Sequence, residues 1–380
     1  MPIGSDKGNF IKPGFDPLAA QTTETVFSLF SWGLNNRGNL GLGDTVDRSS
    51  PVQVGATNAW AQVSNGSGSS VAVTPAGTLY SWGYGYAGAL GLGDTANRSS
   101  PVQVGALTTW LNVAGGHYNN AAFKTDGTFW MFGYNNYGQL GQGTTGTNIS
   151  SPVQVGALTT WSKTALGNTS TLALKTDGTL WSWGQSDQGQ LGLGNTTSYS
   201  SPVQVGSLTT WSKIASGWRH SLAITTDGKL YAWGYNALGN LGLGNTTAYS
   251  SPVQVGALTT WLDVAAGREC SLAIKTDGTL WTWGYNAYGQ LGQGNTTNYS
   301  SPVQVGALTT WLNVAGGRYH TLATTTDGKL YAWGYNDHGQ LGQGDSGSST
   351  YRSSPVQVGA LTGWSVLSSM TGSRESIVLF

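Results

Sequence analysis

Three tripeptides, fifty residues apart, carry side chains with chemical potential: Trp218-Arg219-His220, Arg268-Glu269-Cys270 and Arg318-Tyr319-His320. Each follows a glycine, and each such glycine stands ten positions before an aspartate-glycine pair. The equivalent positions elsewhere read Ser67-Gly68-Ser69, His117-Tyr118-Asn119, Asn168-Thr169-Ser170 and Ser373-Arg374-Glu375. Most of the surrounding sequence is nearly copied, so this slot is where polar, aromatic and charged types vary. His220, Cys270 and His320 are metal-ligand types, but ligands must converge to about 2 Å from one ion. Repeats held side by side keep equivalent atoms too far apart for that, so neither a metal nor a cofactor is expected. The slot reads instead as a binding arc of Trp218, Arg219, His220, Arg268, Glu269, Arg318, Tyr319 and His320. The competing reading is harmless drift of a surface loop. No nucleophile–base–orienter set recurs and no phosphate-binding GxxxxGK[ST] loop is present, so no enzyme is expected.

The elements that position the slot repeat with a period of about fifty residues. A Trp-Gly pair, once Phe-Gly, ends at Gly33, Gly83, Gly133, Gly184, Gly234, Gly284 and Gly334. SSPVQVG recurs with prolines at 51, 101, 152, 202, 252, 302 and 355, and a further tryptophan recurs at 60, 110, 161, 211, 261, 311 and 364. Within one period, WSKIASG and SLAITT read as strands, and Asp227-Gly228 as the hairpin turn between SLAITT and the returning strand KLYAWG. The Gly-rich loop YNALGNLGLGN leads to a fourth strand entered through Pro252. No sustained 3.6-residue apolar pattern occurs. Four short strands per period and seven periods predict an all-β, closed seven-bladed propeller with four-stranded blades. VFSLFSWG at 26–33 matches the third strand of a period and SIVLF at 376–380 the second. One blade is therefore expected to be shared between the N- and C-terminal segments, closing the ring and removing exposed edges.

Composition fits this reading. Only 17 basic and 17 acidic residues occur among 380, with 58 glycines, 17 tryptophans and one cysteine. Zero net charge argues against nucleic acid or a membrane surface as a partner. The single cysteine excludes a disulfide framework. No run approaches 18 apolar residues, so no membrane-spanning helix is expected. The first twenty residues lack a signal peptide's apolar stretch, which points to a soluble, cytoplasmic protein or to a virion component. Trp130, Trp181 and Trp281 read as blade packing, and Asn195, Asn245 and Asn295 as turn residues rather than glycosylation sites.

GWRHSLAITTDGKLYAWGYNALGNLGLGN (217–245) and GRYHTLATTTDGKLYAWGYNDHGQLGQG (317–344) closely resemble the repeat of the regulator of chromosome condensation family. That pattern runs Gly, His with Ser or Thr, Asp-Gly, Trp-Gly-x-Asn, Gly-Gln-Leu-Gly-x-Gly. The resemblance covers 26–380 and implies the seven-bladed propeller, with a structural histidine at the positions of His220 and His320. It also implies nucleotide exchange on a small GTPase as a function. Such an exchange factor needs a protruding element, and the largest extra loop here is GDSGSSTYRSSP (344–355), whose only charges are Asp345 and Arg352. The plant ultraviolet-B photoreceptor also resembles GWRHS, but its face needs tryptophans from several neighbouring blades, where only Trp218 occupies the slot.

Residues 1–25 stand outside the repeats, with Phe10, Ile11, Phe15 and Leu18 spaced by Pro and Gly. They read as an extended anchoring arm docking onto other virion or assembly subunits. FIKPGFDPL (10–18) resembles bacteriophage structural proteins that carry these repeats. The leading expectation is thus a non-enzymatic structural or adhesive propeller, such as a virion appendage or decoration protein. The loop after Trp-Gly, rich in Tyr and Asn, adds host-surface glycan or protein as an expected ligand. The alternative is a cellular interaction propeller such as a guanine nucleotide exchange factor.

Overall fold

A computed structural model describes residues 26–56, 59–368 and 372–380. The anchoring-arm expectation, with Phe10, Ile11, Phe15 and Leu18, lies outside the described residues.

One period shows how the sequence makes a blade. Trp211–Ser216, His220–Thr225, Leu230–Gly234 and Tyr249–Gln254 pair in that order as an antiparallel sheet. The alternating HSLAIT strand is central and wholly buried, while the polar fourth strand is the exposed outer edge. First strands of neighbouring blades touch, so they line the axis. Strand four begins at Tyr249, three residues before the expected entry at Pro252. Pro252 falls in a register irregularity between Tyr249 and Val253, on an edge strand where a missing N–H breaks no ladder bond.

The described residues form seven such four-stranded sheets. One is built from both ends of the chain, with Leu29–Gly33 pairing in register with Glu375–Leu379. Arg48–Gln53 and Val366–Leu367 complete it. The only helical turns are two short 3-10 segments, Tyr86–Gly88 and Ser348–Thr350, among the described residues.

The core is divided into inter-blade seams. In one, Trp261 and Trp283 of a blade pack on Leu230, Leu241 and Val255 of the preceding one. The Trp-Gly tryptophans are fully buried, each worth about 4–6 kcal/mol as an upper bound on burial. They also reach across the seam. Trp32, Trp82, Trp183, Trp233, Trp283 and Trp333 each donate Nε1–H to a backbone carbonyl of the preceding blade at 2.9–3.0 Å. In those six seams the same carbonyl accepts a hydroxyl from Ser376, Ser70, Thr171, Ser221, Ser271 or Thr321. In the seventh seam Phe132 replaces tryptophan, and the Asn120 amide takes the Ala89 carbonyl at 2.7 Å. Gly242 shows why the loop needs glycine: its φ is +72° and a Cβ there would lie 2.8 Å from Trp283 Nε1.

The seven period-start tryptophans make a second layer. Each stands edge-to-face against the third-strand aromatic of its blade: Tyr80, Trp130, Trp181, Tyr231, Trp281, Tyr331 or Phe30. Trp130, Trp181 and Trp281 also pack against the inter-blade clusters, and Lys124, Lys175 and Lys275 cover them at 3.8, 3.6 and 3.5 Å.

The seam bond is testable at Trp233. Trp233→Phe keeps a six-membered ring but removes the pyrrole ring with its donor, and we expect a loss of about 2 kcal/mol. Trp233→Ala leaves a cavity as well and should cost about 3–5 kcal/mol. Urea unfolding with an unchanged slope measures both.

Candidate functional site

Each blade sends two connections to the same end of the ring: the hairpin holding the variable slot, and the Gly-rich loop between strands three and four. A backbone bond joins them in every blade, for example Tyr235 N–H to the Arg219 carbonyl at 2.9 Å and Tyr335 N–H to Tyr319 at 2.9 Å. The slot and the second variable loop thus form one face.

The three slot positions part ways. The third points inside. His220 and His320 are buried, each with Nε2 3.0 Å from the serine hydroxyl of the next blade, Ser271 and Ser376. Both therefore leave the expected surface arc. Their role is to link blades, which matches the structural histidine that the family pattern implies. Cys270 is buried likewise, and burial pushes its thiol up to about 12. Glu375 fills the position in the closing blade and accepts the Gly68 and Arg374 N–H groups.

The first position converges on the axis. Arg268 stacks its guanidinium 4.3 Å above the Trp218 ring and donates to the Tyr319 hydroxyl at 2.8 Å. His117, two blades from Trp218, reaches it at a centroid distance of 4.6 Å. A Cβ on Gly372 would lie 3.7 Å from both Ser67 and Trp218. Adjacent hairpins are laced by Trp218 N–H to Arg268 O and Arg318 N–H to Ser373 O, at 2.9 and 2.8 Å.

The second position, at Glu269, Tyr319 and Arg374, turns outward to meet the loops. There the tyrosines form two clusters. Tyr84, Tyr86, Tyr118, Tyr134 and Tyr137 interlock on one side, with Arg37 3.7 Å above Tyr84. Tyr285, Tyr288, Tyr319, Tyr335 and Tyr351 interlock on the other. Tyr351 comes from the long 344–355 loop, and it shares the Asp337 carboxylate with Tyr335.

Charge is sorted by face. All eight arginines lie at the loop-bearing end, and the seven lysines of the described residues lie at the other. Arg48, Arg98 and Arg352 are spent on Asp44, Asp94 and Asp345 within their own loops. On the opposite end Asp227 accepts Thr225 and pairs with Lys229 at 2.7 Å, which holds its carboxyl down at about 2. These aspartates are turn residues, as expected.

The first asparagine of each loop does not face solvent, whereas Asn36 and Asn136 are exposed. Asn236 is buried, donates to the Asn245 and Thr247 carbonyls and accepts the Leu241 N–H. Its counterparts Asn35, Asn286 and Asn336 do the same kind of work. Most of the amides expected to take sugar hydroxyls are therefore consumed inside the loop. Asn195, Asn245 and Asn295 each accept the N–H two residues on, as turn residues do. Sequence reading left His117 unassigned, although it holds the same slot position as Trp218. No group of three metal-ligating side chains occurs among the described residues, and no helix there is long and apolar enough to cross a membrane.

The fold and this face define a seven-bladed propeller with an aromatic and arginine-rich loop end. The family model of the RCC1-like domain matches residues 28–262, and that of the regulator of chromosome condensation (RCC1) repeat matches 277–324 and 327–379. The chain belongs to the RCC1-repeat propeller family. No curated protein sequence matches it significantly. Human WBSCR16 is similar in structure, with a TM-score of 0.84 at 20% identity over 93% of this chain and 99% of that one. Prp20p of Saccharomyces cerevisiae, from a structure described with its binding properties to Gsp1p and histones, gives 0.81 at 20% identity over 93% and 91%. Yeast RCC1 (Prp20) bound to Kap60 gives 0.82 at 20% identity over 100% and 94%.

The buried third-position groups make stability depend on pH with opposite signs. Burial pushes His220 down to about 4 and His320 to about 3, against an ordinary value of about 6.5. The folded chain then binds fewer protons, so this stability is full above 6.5 and drains as pH falls. Burial pushes Glu375 up from 4.5 to about 7. The folded chain then binds more protons, so stability is gained as pH falls from 7 to 4.5. Thermal melts across that range should fall less steeply with acid in H320Q and more steeply in E375Q.

Proposed function

We propose that this protein is a non-catalytic interaction propeller that binds a protein partner on its loop-bearing face. The observation that carries this reading is the gathering there of Trp218, two tyrosine clusters and five arginines outside any ion pair among the described residues. These are Arg37, Arg219, Arg268, Arg318 and Arg374. Trp, Tyr and Arg anchors supply most of the energy of protein interfaces. The opposite face offers lysine–aspartate turns that satisfy each other.

Membership of the RCC1-repeat family supports the same reading. The Prp20p structures are described with Gsp1p, histones and Kap60, so exchange on a small GTPase is the first partner activity to test. The virion-appendage reading rests on the sequence of the 1–25 arm before a uniform set of repeats, and the similar human and yeast propellers lend it no support. Glycan binding is weakened by the burial of Asn35, Asn135, Asn236, Asn286 and Asn336.

A photocross-linking residue at Tyr86, exposed on the loop-bearing face, should trap a partner in the source cells, whereas one at Leu258, exposed at the other end, should not. For an identified partner, Tyr288→Ala should weaken binding by about 2 kcal/mol, roughly thirtyfold. A GTPase partner should release bound guanine nucleotide faster with the intact protein than with that variant. Cross-links confined to the Leu258 end would sink the reading.

A further inference from the structure

The axial mouth of the loop-bearing face gathers cations that no described residue neutralises. Arg268 and Arg318 come from neighbouring blades, and both guanidinium carbons lie within 5.6 Å of the Tyr319 ring centroid. Neither is in an ion pair among the described residues. The Nε atoms of both are buried without a hydrogen-bond partner. Glu269, beside Arg268 in sequence, pairs with neither, and Glu375 is buried on backbone N–H groups. His117 faces the pair from across the axis, flanked by the Trp218 and Tyr118 rings. Burial, then the charges of Arg268 and Arg318, push its imidazole down to about 4. Two blades thus aim arginines at one spot, and a third places there a histidine that burial, helped by their charge, keeps neutral. The same position elsewhere holds only Ser67, Asn168 or Ser373.

We propose that this mouth is an oxyanion site, in which a carboxylate or phosphoryl group sits between Arg268 and Arg318 beside the Tyr319 hydroxyl, over a floor of Trp218 and His117. Guanidinium groups donate to such oxyanions in paired, charge-assisted hydrogen bonds. Stacking on Trp218 and bonding to Tyr319 fix Arg268 before any ligand arrives, so little ordering is left to binding. The site needs no protein partner, so it stands or falls separately from the partner reading above.

Sulfate is the probe, titrated against chloride at matched ionic strength. The His117 imidazole signals are followed by NMR, with His338 on the outer loop as internal control. Sulfate should move the His117 signals saturably and raise its pKa, because a bound anion offsets the two arginines. R318Q and R268Q should each weaken sulfate roughly tenfold or more, the loss of a charge-assisted bond. R318Q leaves the Arg268–Trp218 stack in place, so it separates lost binding from a loosened stack. Parallel titrations with acetate and methyl phosphate show which oxyanion class the site prefers. A His117 titration no different in sulfate from chloride overturns the proposal. So does saturable binding that survives both substitutions.

Discussion

One bond governs the ring: the indole N–H of a Trp-Gly tryptophan given to a carbonyl of the preceding blade. A β-sheet packed face to face on another has no directional link to it, and apolar packing alone leaves the twist between sheets loosely set. Here the buried carbonyl would be costly if left unpaired, so it fixes each blade against the last through two donors. The Trp32 bond to Gln340 O, between residues 308 apart, is the same bond made at the point of closure. Phe132 is the instructive exception, because the longer Asn120 side chain fills in where the indole is missing.

That joint explains what was legible. Trp-Gly pairs, Asp-Gly turns and a fifty-residue period define strand order, blade number and the shared blade, since each rests on a local backbone requirement or on burial. Pro252 misled by three residues because an edge strand tolerates proline inside it. The slot was legible as variable but not as divided. Spacing alone does not tell that Arg318 faces the axis, Tyr319 the loops and His320 the seam; successive residues of a tight hairpin diverge, and only the packing of neighbouring blades says where each arrives. His117 was opaque for the same reason. Its contact with Trp218 skips a blade and exists only because first-position side chains meet at the centre.

The sorting of arginine from lysine is a second product of repetition. Lysines recur in the copied strands and turns, where Lys229 meets Asp227 and Lys275 lies over Trp281. Arginines occupy the loop end, and those of the slot sit where the template is least constrained. The scaffold is nearly uncharged because its template is, and this leaves a few guanidinium groups to dominate the potential of one face.

Joining the first and last strands in one sheet has a consequence for biosynthesis. Leu29–Gly33 pairs on one side with Glu375–Leu379, so it must wait for nearly the whole chain to be made. At about 5–20 residues per second that wait is roughly 20–70 s. Through that interval the nascent protein is an open stack with two bare ends, each able to pair with another copy. Crowded polysomes would therefore be the place where this chain is most exposed to misassembly, and the last five residues of strand are what end the hazard.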